Sequence, residues 1–217
     1  MTGPEYDDVL REFRNVLVRY DLHGYHCTRL VDDEIAYIMA HGMQPPNGAV
    51  LAERIGRLQE SGLVERAVAE RLASENQAGS ANRAGRIWFC FFPPYLAGES
   101  GIEALLRHWG GEALYNSHDR DPIVGPILRS PGTPFLVEAD VPIAGLPGPG
   151  SVEMKLAKNF LIGRGSPTNE PVRHEDRATQ PIPASKIKRI IRFPEHDFVT
   201  LTKCDEWETP LACSPTR

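Results

Sequence analysis

Residues 25–42 constrain the fold most, because they combine a short polar strand, a helix and a glycine turn. His26, Cys27, Thr28 and Arg29 occupy a stretch with the side-chain bulk of a strand. In a strand, His26 and Thr28 lie on one face, and Cys27 and Arg29 lie on the other. Burying such side chains costs free energy unless each finds a partner. The stretch therefore predicts either a strand that binds a ligand or a partly exposed edge strand.

A short helix is predicted directly after this strand. Asp32 is expected to cap it, and the helix is expected to run to about His41, where Gly42 ends it. The apolar residues at helical spacing, which we expect on its buried side, are Ile35, Ile38 and Met39.

Apolar periodicity predicts the remaining elements. Helices are expected at 5–20, 49–77 (divided near Gly62), 102–115 (weakened by Gly110 and Gly111) and 152–162. Strands are expected at 86–92, 134–141, 187–193 and 198–201. The strand at 86–92 is aromatic and does not alternate with polar residues, so we expect it to be buried on both faces.

The length and charge of the chain bound its class. Its 217 residues suit one domain, and its formal net charge of -5 argues against a broad electrostatic surface for nucleic acid. A local basic groove is still compatible with that charge. No run approaches the roughly 18 to 20 apolar residues that span a bilayer. The acidic start lacks the features of a secretion signal, so we expect a cytoplasmic protein with no membrane partner.

The cysteines predict neither a disulfide framework nor a metal site. Cys27, Cys90, Cys204 and Cys213 form no CxxC pair, and no His or Cys spacing is typical of zinc. In a cytoplasmic protein they are expected as free thiols, with Cys90 a small core residue.

The unit from Tyr25 to Met43 resembles the opening of many ADP-ribosyltransferases. The shared order is Tyr-His-x-Thr, a short helix with Ile-x-x-Ile, and Gly-Met. In that family the first core strand carries a His-x-Thr-like element that binds NAD. The resemblance implies that His26 and Thr28 hold the adenosine ribose and the nicotinamide amide. The alternative is a strand and helix that happen to contain a histidine.

Residues 86–95 resemble the second core strand of the same family, which is also aromatic in its DNA-modifying toxin branch. An aromatic residue near this point stacks on nicotinamide in other branches, so the candidates here are Trp88, Phe89, Phe92 and Tyr95. They are equally compatible with a plain core. Arg29 is a candidate bidentate donor to a pyrophosphate, or else a salt-bridge residue. The NAD-binding set that follows is His26, Cys27, Thr28, Arg29, Trp88, Phe89 and Tyr95.

The third resemblance concerns Glu175. ADP-ribosyltransferases place a catalytic glutamate at the start of a strand, after a substrate-recognition loop, which here would lie at 163–171. That carboxylate bonds the ribose and stabilises the oxocarbenium-like transition state. The resemblance implies Glu175 and His26 as the catalytic pair, with Glu153 as the rival glutamate. The alternative is a solvated charge cluster at 170–177.

Together these resemblances imply an α+β fold of ADP-ribosyltransferase type. It would be one domain, 1–217, with a split β-sheet core and helical insertions at about 49–85 and 96–118. The implied activity is toxin-like: ADP-ribose is transferred from the co-substrate NAD to a DNA, RNA or protein acceptor, and nicotinamide is released. The alternative is a catalytically silent module of similar fold that binds a nucleotide or a protein. We expect His26 and Glu175 to face one cleft, because on opposite sides of the sheet they could not act as a catalytic pair.

Overall fold

The computed structural model describes residues 3–147, 152–166 and 173–211. These residues form an α+β structure with a five-stranded antiparallel sheet. The strands are β1 (Asp21–Leu30), β2 (Ile87–Cys90), β3 (Thr133–Pro142), β4 (Glu175–Ala178) and β5 (Ile187–Arg192). The helices are α1 (Gly3–Leu17), α2 (Asp32–His41), α3 (Gly48–Glu60), α4 (Arg66–Ser74), α5 (Glu99–Arg107), α6 (Glu112–His118), α7 (Val124–Leu128), α8 (Val152–Gly163) and α9 (His196–Thr202).

The sheet has the order β4-β2-β1-β3-β5, with β1 at its centre. β1 and β3 pair along the whole length of both strands, from Asp21 opposite Pro142 to Leu30 opposite Thr133. By contrast, the register between β1 and β2 in the described sheet is the one pair of Tyr25 with Cys90. Among the described residues, the ladder between β1 and β2 is therefore confined to one pair near the middle of β1.

The two faces of the sheet are covered by different helices, because strand side chains alternate. One face carries Leu30, Phe89 and Val137, and it packs against α2 and α8 through Ile38 and Val152. The other face packs against α5 and α9 in a cluster that contains Cys27, Leu136, Ile191, Ile102, Leu106 and Phe198. The sheet is thus the middle layer of the molecule.

A separate helical cluster lies beside the sheet. It is built from α3, α4, α6, α7 and the turn at Trp109, and its buried members include Leu51, Leu72, Leu114 and Leu128. The two segments predicted as helical insertions, 49–85 and 96–118, therefore pack largely on each other. Within the second segment, α5 is the exception, because its apolar face covers the sheet.

Most predicted elements are confirmed, but the details of α2 differ. The helix occupies Asp32–His41 as expected, yet Val31 rather than Asp32 holds the N-cap position. There the side chain of Glu34 accepts a hydrogen bond from the Val31 amide at 3.0 Å. Met39 is 52% exposed, so it does not belong to the buried stripe.

One strand prediction is wrong, and another is wrong in part. The stretch 198–201 belongs to helix α9, because a short apolar run fits either period and Phe198 packs from a helix into the core. β2 is shorter than expected, and Trp88 is 40% exposed, so the strand is not buried on both faces. Residues 167–172 of the predicted recognition loop, and Cys213, lie outside the described residues.

We expect Gly42→Ala to destabilise the protein by about 3–5 kcal/mol. Gly42 has φ 78° and ψ -168°, a conformation open essentially to glycine. A Cβ added there would lie 2.0 Å from the carbonyl oxygen of Ile182, at the bridge between Met43 and Ile182. Equilibrium unfolding in urea measures the loss.

Gly62→Ala is the matched control. Gly62 also has a positive φ, 71°, but a Cβ added to it would meet no atom within 4 Å. Backbone strain alone should therefore cost about 1 kcal/mol. Equal losses for the two variants would contradict the steric argument at Gly42.

Candidate functional site

A cavity of about 470 Å³ lies between the sheet and the helical cluster. β1 and β2 form one wall, and α2, α3 and the turns before β2 and α6 form the others. Four arginines reach it: Arg54, Arg57, Arg83 and Arg86. Four glutamates reach it as well: Glu34, Glu53, Glu112 and Glu175. Its volume falls within the roughly 300–1,000 Å³ usual for small-ligand sites.

The cavity follows the separation between β1 and β2. Its lining includes side chains from both faces of β1, such as Cys27 and Thr28. Beyond the one pair of the ladder, a side chain bonds the backbone in place of the neighbouring strand: the ring of His26 lies 2.8 Å from the carbonyl oxygen of Trp88. The polar strand evident in the sequence therefore lies where the sheet opens.

His26 is a neutral imidazole in this setting. A carbonyl oxygen accepts only, so Nδ1 donates the hydrogen bond to Trp88, and the tautomer leaves Nε2 as an acceptor. Burial lowers the pKa of His26 from its ordinary value; the Trp88 carbonyl opposes that change and the Arg54 charge adds to it. Its ring also lies 5.9 Å from that of Phe89. The residue can accept a hydrogen bond from a ligand hydroxyl or amide.

Glu175 reaches the same cavity from the edge of the sheet. It is the first residue of β4, as the resemblance implies, and it pairs with Cys90, which in turn pairs with Tyr25. With strands about 4.8 Å apart, the Cα atoms of Glu175 and Tyr25 are roughly 10 Å apart. Among the described residues, no arginine, lysine or histidine lies within ion-pair distance of its carboxylate, which is exposed. The carboxylate is available to a ligand.

The register separates His26 and Glu175, although both line the cavity. Glu175 lies in the row of Cys90 and Tyr25, whereas His26 lies in the row of Phe89, on the opposite face. They therefore approach the cavity from its two sides and do not stand side by side on one face. Both residues line the cavity, but their side chains extend from opposite faces of the sheet, which contradicts the expectation that they face one cleft together.

Cys27 is not suited to nucleophilic chemistry. Its thiol donates to the sulfur of Cys90, and this hydrogen bond together with burial raises the pKa of Cys27 well above its ordinary value. The nearby carboxylate of Glu175 raises it further. Both thiols are buried, so Cys27 contributes packing at the cavity wall.

The other predicted site residues divide into two groups. Thr28, Trp88 and Phe89 line the cavity with His26. Arg29 and Tyr95 do not: Arg29 is 3% exposed and donates from Nε to the Pro131 carbonyl at 2.8 Å. The ring of Tyr95 lies 4.9 Å from the Lys203 ammonium nitrogen.

Glu153, the rival glutamate, lies elsewhere. It is fully buried at the start of α8, where Arg14 of α1 donates to it at 2.8 Å. This ion pair joins two helices and does not line the cavity. Of the two glutamates, Glu175 alone has the position that a ligand-binding carboxylate needs.

Glu34 organises the cavity wall. Its carboxylate accepts hydrogen bonds from the Val31 amide at 3.0 Å, from Arg54 Nε at 2.5 Å and from Trp109 Nε1 at 3.0 Å. The guanidinium of Arg54 also lies 4.7 Å from the Trp109 ring centroid. The carboxylate of Glu34 and the guanidinium of Arg54 are therefore engaged in these contacts, and each has few hydrogen-bonding positions left for a ligand.

The cavity also contains residues that sequence reasoning alone does not select. Tyr37, Arg83 and Arg86 line it, two of them from the segment just before β2. The signal in the sequence is the close spacing of the two arginines around Gly85, directly ahead of an aromatic strand. Only the tertiary packing brings that segment against β1.

Comparisons with protein-family models, with curated proteins and with solved structures gave no match to this chain. In the part of the chain that the structure describes, no helix has both the length and the apolar character to cross a membrane. Within the same residues, no three His, Cys, Asp or Glu side chains are grouped so as to hold a metal ion.

The lowered pKa of His26 predicts a pH effect on stability. The unfolded chain takes up a proton at this residue below about pH 6.5, while the folded protein resists it. The free energy of unfolding should therefore fall as the pH drops below 6.5, by at most about 1.4 kcal/mol per pH unit from this group.

His26→Asn is the comparison, since its amide can donate to Trp88 but does not titrate. His108 and His174 also have lowered pKa values, but they are common to both proteins and cancel. Urea unfolding between pH 7.5 and 5.5 should show a larger loss in the wild type. Identical pH profiles would contradict the assignment.

Proposed function

We propose that this protein binds NAD in the cavity and transfers its ADP-ribose to an acceptor, releasing nicotinamide. The observation that carries the proposal is the meeting of His26, Thr28 and Glu175 at one cavity of suitable volume. The first two lie on the central strand, and Glu175 begins an edge strand. The α+β architecture, with helices inserted between the strands of an antiparallel sheet, is compatible with the ADP-ribosyltransferase type.

The residues around the opening between β1 and β2 suit the nicotinamide riboside half of NAD. Nε2 of His26 is an acceptor for a ribose hydroxyl or for the carboxamide. The hydroxyl of Thr28 can donate or accept. The half-exposed indole of Trp88 extends from the face of Glu175, and the Arg177 guanidinium lies 5.6 Å from its ring centroid, so the other side of the indole is open for a nicotinamide ring to stack. In this proposal these side chains bind and orient the substrate.

Glu175 supplies the charge for the chemical step. As the bond between ribose C1′ and the nicotinamide nitrogen breaks, its electron pair leaves with neutral nicotinamide, and positive charge develops on the ribosyl carbon and ring oxygen. A carboxylate beside the ring stabilises that charge. The acceptor then forms a bond to C1′ and loses a proton, for which the same carboxylate can act as base.

A catalytically silent binding module is the second candidate, and the register favours it. His26 and Glu175 extend from opposite faces of the sheet, so a bound nucleotide could contact one without the other. Such a module would bind NAD or a related nucleotide and leave it intact. Incubation with NAD and an extract as acceptor source, followed by chromatography for free nicotinamide, distinguishes the two functions.

We expect Glu175→Gln to lower nicotinamide release by about 100-fold or more, with NAD affinity nearly unchanged. The amide keeps the shape of the side chain but cannot balance the developing positive charge. Initial rates with labelled NAD give the turnover, and calorimetry gives the affinity. Glu60→Gln, at the exposed end of α3, is the control and should behave as the wild type. Full activity in Glu175→Gln would remove Glu175 from the mechanism.

His26→Asn should produce a different defect. The variant keeps a donor for the Trp88 carbonyl but loses the acceptor Nε2, so NAD should bind about three- to tenfold more weakly. Calorimetric titration with NAD measures the affinity, and circular dichroism checks the fold. Unchanged affinity would show that Nε2 does not contact the dinucleotide.

A further inference from the structure

We infer that Arg83 and Arg86 form the subsite for the pyrophosphate of the dinucleotide. This inference rests on the proposed function, since it assigns the charged part of the same ligand. It concerns Arg83, at the end of the helical insertion, and Arg86, directly before β2. It follows from the contacts of two cavity arginines: Arg86 has no carboxylate partner among the described residues, and Arg83 has a buried Nε without a hydrogen bond.

Arg54 and Arg57 have carboxylate partners. Arg54 donates to the buried carboxylate of Glu34 at 2.5 Å, and Arg57 lies 3.5 Å from Glu53 one turn away on α3. Breaking the first pair would leave a buried charge without its partner, which is costly. These two arginines therefore belong mainly to the wall.

Arg86 is a cation at the cavity without a carboxylate partner among the described residues. Its guanidinium donates a hydrogen bond to the carbonyl oxygen of Asn82, at 3.1 Å. It is half-buried and directly precedes β2, two residues before Trp88. A group bound by Arg86 would thus lie next to a nicotinamide ring stacked on Trp88.

Arg83 has a carboxylate near it, but one nitrogen of its guanidinium group lacks a hydrogen bond. Its Nε is buried and makes no hydrogen bond, and Glu112 lies 3.5 Å from it without hydrogen-bond geometry. One terminal nitrogen of its guanidinium is 3.5 Å from the Ser80 hydroxyl, a marginal contact. A buried donor without an acceptor costs free energy. Because Nε is closed to solvent, a ligand oxygen would meet Arg83 through the exposed part of its guanidinium.

The backbone of this segment is held in place, so the points from which the two arginine side chains extend are fixed before a ligand arrives. The Arg83 amide bonds the Ser80 carbonyl at 3.0 Å, and the Gly85 amide bonds the Pro46 carbonyl at 2.7 Å. Gly85 has φ 71°, which turns the chain between the two arginines. An ordered backbone reduces the entropy that is lost when a ligand binds.

A pyrophosphate matches these groups in charge and geometry. It carries two negative charges on several acceptor oxygens, and guanidinium groups bind such oxygens in pairs of hydrogen bonds. Glu112 competes for Arg83 from the same side. Removing the Glu112 charge should therefore strengthen the binding of an anion here, an effect that a merely structural ion pair would not give.

The test is calorimetric titration of the full chain with ADP-ribose, which contains the pyrophosphate but no nicotinamide, and with adenosine, which contains neither. Arg86→Gln and Arg83→Gln should each weaken ADP-ribose binding by about 10- to 100-fold. Glu112→Gln should tighten it. Arg66→Gln is the matched control, because Arg66 lies in the same insertion but is exposed and pairs with Glu70 on its own helix.

The outcomes separate this inference from the proposed function. Arginine-dependent binding of ADP-ribose without nicotinamide release supports the subsite and contradicts the transfer reaction. Nicotinamide release with an unchanged KM for NAD in Arg83→Gln and Arg86→Gln supports the reaction and overturns the subsite. Failure of the wild type to bind ADP-ribose, or equal loss in Arg66→Gln, also overturns it.

Discussion

The buried carboxylate of Glu34 is the interaction on which the cavity depends. It bonds the start of its own helix, Arg54 of α3 and Trp109 of the turn before α6. Burying a carboxylate is expensive unless its oxygens are satisfied by charged or polar donors. Here three donors meet that need, and each comes from a different segment. The helical cluster is thereby fixed against the strand and helix that form the opposite wall.

The opening between β1 and β2 explains why a central strand has a polar sequence. A fully paired central strand between helical layers would favour apolar residues on both faces. β1 pairs completely with β3 but with β2 at Tyr25 and Cys90, so its other side faces the cavity. The ring of His26 then satisfies the Trp88 carbonyl, which no longer has a strand partner there. The polar residues follow from the opening of the sheet, and the opening creates the site.

Local sequence signals predict the parts of the fold that depend on local interactions. The bounds of α2, the glycine at its end and the division of α3 from α4 follow from helical spacing and from glycine conformations. The stretch 198–201 is too short to reveal its period, which is why a strand is predicted where α9 lies. Local sequence signals do not predict the register of the strands, because register depends on pairing between residues far apart in the sequence. It decides that Glu175 and His26 lie on opposite faces, and that Arg29, expected at the ligand, is buried against Pro131.

The charges of the site come from different layers of the molecule, and this division has a chemical consequence. The arginines come from α3 and from the segment directly before β2, whereas Glu175 belongs to the edge of the sheet. Transfer of ADP-ribose needs both signs at once, because the pyrophosphate is anionic while the ribosyl carbon becomes cationic. If a carboxylate lay among the arginines, their positive charges would offset its negative charge. It would then stabilise the cationic ribosyl carbon poorly. Separate layers keep the charge of Glu175 available. Under the proposed function, the segment before β2 should govern nucleotide affinity, and the sheet edge should govern turnover.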